Sequence, residues 1–118
     1  MKRIVGVGLL VLLGLAPLAA PASAAGMWIE RVWPREVQPG RTLHIYGDHF
    51  GRSRGGRIPA MIRSGNGRTF RLRTSSWSRR HIVAELPDRL GPGGYRVLIY
   101  YDDSYTTSSN VVRVEVTP

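Results

Sequence analysis

Short runs of four to seven alternating or β-branched residues, each closed by a cluster of Gly, Pro, Asn, Ser or Asp, recur along the chain. That punctuation limits the fold more than any other feature. Apolar residues never recur at helical spacing beyond the N-terminal stretch, and strands of period two broken by turn residues at short intervals read as an all-β sandwich or barrel. Strands are expected over 27–32, 42–47, 57–62, 68–74, 81–86, 95–101 and 110–116. The turns between them are marked by Gln38-Pro39-Gly40, Gly51 to Gly56, Ser64-Gly65-Asn66-Gly67 and Gly91-Pro92-Gly93-Gly94. Asn66-Gly67 suits a tight hairpin because both residues accept positive φ. Seven strands in fewer than a hundred residues fit the immunoglobulin-type sandwich. Alternation then points Leu43, Ile45, Phe70, Leu72, Ile82, Ala84, Leu86, Tyr95, Val97, Ile99, Val112, Val114 and Val116 inward.

The first 24 residues stand apart. Lys2 and Arg3 precede an apolar stretch from Ile4 to Leu15, which is shorter than the roughly 20 residues needed to span a bilayer. It runs into Ala22-Ser23-Ala24, the small-x-small pattern of a signal-peptidase site. Residues 1–24 are therefore expected to be a removed signal peptide and 25–118 a single domain; the alternative is an uncleaved anchor helix. With no cysteine in the chain there is no thiol for a lipid anchor and no disulfide, so a packed apolar core must supply the stability. Cleavage removes Lys2 and Arg3 and no acid, leaving fifteen Arg against eight acidic residues, a net charge of +7 with no Lys. A GC-rich genome produces such Arg usage as readily as selection for bidentate anion recognition does. Either origin draws the domain to polyanions.

The residues resemble a known family. Ile29-x-x-Val32-x-Pro34 is followed by Val37-x-Pro39-Gly40-x-Thr42-Leu43-x-Ile45-x-Gly47-x-x-Phe50-Gly51, then by Trp77-Ser78 leading to Ile82-Val83-Ala84-Glu85-Leu86-Pro87. Pro92-Gly93-x-Tyr95-x-Val97 and a late Ser109-Asn110 before a Val-rich strand complete a pattern similar to the IPT/TIG Ig-like domains. The resemblance covers nearly all of 25–118. It implies a sandwich that binds protein or carbohydrate, or that spaces the parts of larger surface proteins. Such modules commonly sit in tandem or beside other domains, whereas here the module is expected to be the whole mature protein, which argues against a spacer. Independently of the family, Gly40 and Gly47 read as positions needing positive φ or close approach. Tyr95 reads as a tyrosine corner, Trp77 as core or core edge and Phe50 as a plug at one end of the core.

Catalytic chemistry is missing from the sequence. The Gly51-x-Ser53-x-Gly55 spacing falls in an expected turn and not between a strand and a helix, and there is no His-Glu-x-x-His motif, so a non-enzymatic protein without cofactor or metal is expected. His44 and His81 should face outward on neighbouring strands, where solvated histidines are the simpler reading than a metal site. His49, and Asp102-Asp103-Ser104, read as turn chemistry. The informative feature is basic. If the third, fourth, sixth and seventh strands share a sheet, parity places Arg71, Arg73, Arg96, Leu98, Tyr100 and Arg113 on its outer face, with Arg63 beside them. Arg52, Arg54 and Arg57 form a basic loop at one end. A solvated charged face is the alternative. Charge beside an exposed leucine and tyrosine suits an anionic partner.

The expected protein is a periplasmic or secreted binding or adaptor module, contacting a protein or acidic polysaccharide of the envelope. The alternative is a structural spacer or subunit without its own ligand. Nucleic acid is not expected as the physiological ligand. A monomer is expected, because like charges would meet across a two-fold axis. N-terminal sequencing of protein from the producing cell should read from Ala25; a cytoplasmic chain beginning at Met1 would contradict export.

Overall fold

The computed structural model describes residues 26–118; the expected signal peptide lies outside the described residues. Nine strands run in chain order: β1 Trp28–Trp33, β2 Glu36–Val37, β3 Thr42–Asp48, β4 Ile58–Arg63, β5 Thr69–Arg71, β6 Arg73–Trp77, β7 His81–Glu85, β8 Gly93–Tyr100 and β9 Val112–Val116. They form a four-stranded sheet, β1-β3-β7-β6, and a five-stranded sheet, β2-β9-β8-β4-β5. This is an all-β, immunoglobulin-like sandwich. No helix among the described residues is long and apolar enough to cross a membrane.

Cross-strand register explains the core. Leu43 lies opposite Ala84 and Ile45 opposite Ile82 in one sheet, while Met61 faces Val97 and Tyr95 faces Val114 in the other. All of these are buried, so each strand lays its apolar parity on the gap between the sheets. On β1, Ile29 and Val32 are both buried although three residues apart. A bulge between Ile29 and Arg31 restores the phase. Asn110 holds that stretch: its Nδ2 donates to the Ile29 carbonyl at 2.8 Å, and its Oδ1 accepts from the Ile29 amide at 2.6 Å. Gly47 sits where a Cβ would collide with the Trp28 carbonyl oxygen and come within 2.7 Å of Phe50, the fully buried end plug. Gly40 takes φ 78°, a left-handed turn conformation costly for other residues.

Several expectations need correction. The single strand expected over 68–74 is two strands in different sheets: β5 pairs β4, and β6 pairs β7. Between them Leu72 is buried and its amide donates to the Pro59 carbonyl at 2.9 Å, so the chain crosses the core edge at that residue. The short β2, which pairs in parallel with β9, is the other addition. Phe70 and Val112 are only partly buried, packed against the core rather than within it. In the β4–β5 turn only Gly67 has positive φ. Asn66 instead uses Oδ1 to accept from the Arg68 amide at 3.0 Å, and Arg63 and Arg68 close a four-residue loop, longer than a two-residue hairpin.

Tyr95 is fully buried and donates its hydroxyl hydrogen to the Gly91 carbonyl four residues earlier, at 2.8 Å, as a tyrosine corner does. Arg63 completes it, donating Nη1 to the Tyr95 hydroxyl at 3.2 Å and Nη2 to the Pro92 carbonyl at 2.9 Å. Removing the hydroxyl strands a carbonyl and a guanidinium hydrogen together. Tyr95→Phe is therefore expected to cost about 1 kcal/mol or more, read as a lowered urea midpoint; an unchanged midpoint would contradict the corner's role.

Candidate functional site

The outer face of the five-stranded sheet is set by the parity opposite to the core. Register places Arg96 directly across from Arg113, Leu98 beside Ala60, Tyr100 beside Ile58, and Arg71 on the far side of Ala60. Arg71, Arg96 and Arg113 are exposed. None of the three has a carboxylate in ion-pair range among the described residues, where the ion pairs are Arg73–Glu85 at 3.4 Å and Arg80–Asp48 at 3.8 Å. Like charges opposite one another on a sheet destabilise it. Glu115, two residues along β9 on the same face, reaches over Gly94 as Arg113 does, so the Arg96–Arg113 pair has a carboxylate nearby but outside ion-pair distance.

At the sheet edge where the chain crosses, Arg54, Arg71 and Arg73 line one depression of about 440 Å³ with Ile58, Pro59, Leu72 and Thr74. No acidic residue borders it. Of the three guanidinium groups, Arg73 is paired with Glu85 and Arg54 donates Nη1 to the Arg57 carbonyl at 2.9 Å, while Arg71 has no partner among the described residues and offers a forked donor suited to carboxylate or sulfate oxygens. A smaller adjoining hollow extends from Arg54 and Arg71 to Asp102 and Asp103. The arginine surface therefore ends there against acid. Asp102 accepts from the Ser104 hydroxyl and amide, the turn chemistry expected; those bonds hold its carboxyl below the usual range.

Four expected site residues are placed differently. Leu98 is only 5% exposed: it occupies a central strand, surrounded in register by Ala60, Arg96 and Tyr100, and offers no apolar contact surface. Arg73 belongs to β6 on the other sheet and pairs with Glu85, because the chain changes sheets at Leu72; it meets Arg71 only at the edge hollow. Arg63 has inward parity opposite Tyr95 and is held by the tyrosine corner, away from the outer face. In the basic loop, Arg52 and Arg54 are exposed, but Arg57 is half-buried with its guanidinium packed against Gly51. Its Nε is buried and lacks a hydrogen-bond partner among the described residues. Tyr100 is on the expected face, its ring set edge-on to Tyr105 at 4.8 Å.

The opposite sheet carries a constellation that alternation alone did not single out. On its outer face the Arg31 guanidinium lies 4.1 Å from the Tyr46 ring centre, and Tyr46 stacks on His81 at 4.5 Å. His81 stacks on His44 at 5.1 Å, and Trp33 leans against His44 at 6.1 Å. His44 Nδ1 and His81 Nε2 are 2.9 Å apart, sharing one hydrogen, as their expected outward placement on adjacent strands allows. Burial, and then His44, hold the His81 imidazole below the usual histidine range. No cluster of three metal-binding side chains occurs among the described residues. Trp28 and Trp33 are 55% and 58% exposed. The signal available in the sequence was their spacing: both flank the buried Ile29 and Val32 on one short strand. Trp77 is at the core edge, bonded through Nε1 to the Gly51 carbonyl at 3.1 Å.

The chain matches no protein-family model and no curated protein. Among solved structures it is similar to part of the Gamma-CGTASE of alkalophilic Bacillus clarkii, with a TM-score of 0.59 and 22% identity over 78% of this chain. It is also similar to part of a protein of unknown function from Bacteroides thetaiotaomicron, with a TM-score of 0.66 and 14% identity over 78% of this chain. A third is an auxiliary nutrient binding protein from Bacteroides ovatus, with a TM-score of 0.53 and 14% identity over 80%. The chain spans 12% of the first and 22% of each of the other two. At these identities the shared feature is the β-sandwich fold.

Proposed function

We propose that this chain is an exported, non-enzymatic Ig-like binding module of IPT/TIG type, whose arginine surface holds an anionic glycan of the envelope. The observation that carries the reading is the hollow lined by Arg54, Arg71 and Arg73, in which Arg54 and Arg71 have no ion-pair partner among the described residues. The unpaired Arg96 and Arg113 lie across the same sheet, ~12 Å and ~16 Å from Arg71 by strand spacing and rise. An extended polyanion reaches both groups at once, whereas a small anion reaches one. Arg supplies forked, permanently charged donors at both. A nutrient-binding protein among the structural neighbours is compatible with a binding module. A second reading has its own support: in each neighbour the similar sandwich is a small part of a longer chain, the setting in which a sandwich acts as a spacer.

The two readings separate on salt and charge. Neutralising phosphate-like or carboxylate charge with Arg releases counterions, so affinity falls steeply with salt. Arg71→Ser combined with Arg96→Ser should weaken retention on heparin and flatten its salt dependence, with stability shifted by only about 0.5 kcal/mol because both sites are exposed. Retention equal to that of a size-matched protein of the same net charge would favour the spacer.

A further inference from the structure

Trp33 ends β1 at the edge of the four-stranded sheet, just before the chain crosses to β2 in the other sheet. The crossing leaves a depression of about 530 Å³ between the two elements. Trp33 forms one wall. Glu36, Gln38, Arg41, Thr42 and His44 supply polar groups around it; Gln38 donates Nε2 to the Pro118 carbonyl at 3.2 Å and His44 shares its Nδ1 with His81, while Glu36, Arg41 and Thr42 have no side-chain hydrogen bond among the described residues. His44 approaches the indole at a tilt of 53°, and more than half of Trp33 stays open to solvent.

From this arrangement we infer a second binding site, independent of the arginine surface: the Trp33 depression takes an uncharged pyranose ring of a glycan. A sugar ring has an apolar face of C–H groups and a rim of hydroxyls. One open indole ringed by donors and acceptors of both kinds matches that division, and a small concave site with one apolar wall and a few placed polar groups is the general form of such a pocket. Glu36 accepts, Arg41 donates, and Thr42 and Gln38 do both. Acid and base are balanced around the ring, so no net charge is selected.

A protein partner is the other class that uses exposed tryptophan, and it wants a continuous apolar centre inside a polar rim. The neighbouring rings do not supply one. Tyr46, His81 and His44 spend their faces on one another and on Arg31, which leaves Trp33, with Pro34 and the buried Val37 beside it, as a small apolar plane edged by polar groups. Trp28, the other exposed indole, is at the far end of β1, ~16 Å away by strand rise, and serves as the internal control.

The test is titration of the purified protein with maltohexaose, cellohexaose, xylohexaose and mannohexaose, followed by tryptophan fluorescence and calorimetry. At least one is expected to bind, with affinity unchanged between about 0.05 and 0.5 M salt, where screening changes strongly. Trp33→Ala should weaken that binding at least about tenfold, some 1.4 kcal/mol, and Arg41→Ala should weaken it too. Trp28→Ala and the Arg71→Ser/Arg96→Ser variant should bind as the wild type does; circular dichroism checks that each variant is folded. Failure of all four sugars overturns the inference, as does binding that survives Trp33→Ala, or binding lost in the arginine variant alone. Capture of a protein through Trp33 while every sugar fails also overturns it. None of these outcomes bears on heparin retention, which tests the arginine surface separately.

Discussion

Ile45 facing Ile82 in one sheet and Met61 facing Val97 in the other set the phase of the strands around them. A strand that slipped by one residue would turn its whole apolar set to water, so the core holds each outward residue in place as firmly as it holds the inward ones. Arg96 meets Arg113 because Tyr95 meets Val114 one step away. Tyr46 meets His81 because Ile45 meets Ile82. Both outer faces are in this sense consequences of the core.

The same constraint explains which parts of the molecule were legible in the sequence. Strand alternation, the tyrosine corner at Tyr95 and the close approach at Gly47 are local patterns with one physical solution each, and the outward placement of His44 and of His81 follows from alternation on each strand. The crossing at Leu72 is not of that kind. Residues 68–74 alternate without a break, and nothing in Arg71-Leu72-Arg73 announces that the strand leaves one sheet and joins the other. Leu98 failed for a related reason. Parity assigns a side, but exposure depends on the neighbouring strands, and Ala60 opposite Leu98 on β4 is long-range information.

The two faces differ in chemistry. On the five-stranded sheet, Arg71, Arg96 and Arg113 stand without ion-pair partners among the described residues around a stripe of buried Ile58, Ala60 and Leu98, which makes a positively charged floor. On the four-stranded sheet the cationic and aromatic groups satisfy one another in a stack from Arg31 to Trp33, and the stack ends on the open indole of Trp33. One face is organised by unbalanced charge and the other by ring stacking with balanced polar groups. Ionic strength should therefore act on the first and leave the second nearly untouched.

The arginine side chains report directly on where an anionic chain lies. In a ¹⁵N-labelled sample, the Nε–H signals of Arg54, Arg71, Arg96 and Arg113 are expected to shift together on addition of a heparin oligosaccharide, while those of Arg31 and of Arg63, held by Tyr46 and by the tyrosine corner, stay in place. Small shifts spread evenly over all the arginines would contradict a defined site and leave the basic surface as solvated charge.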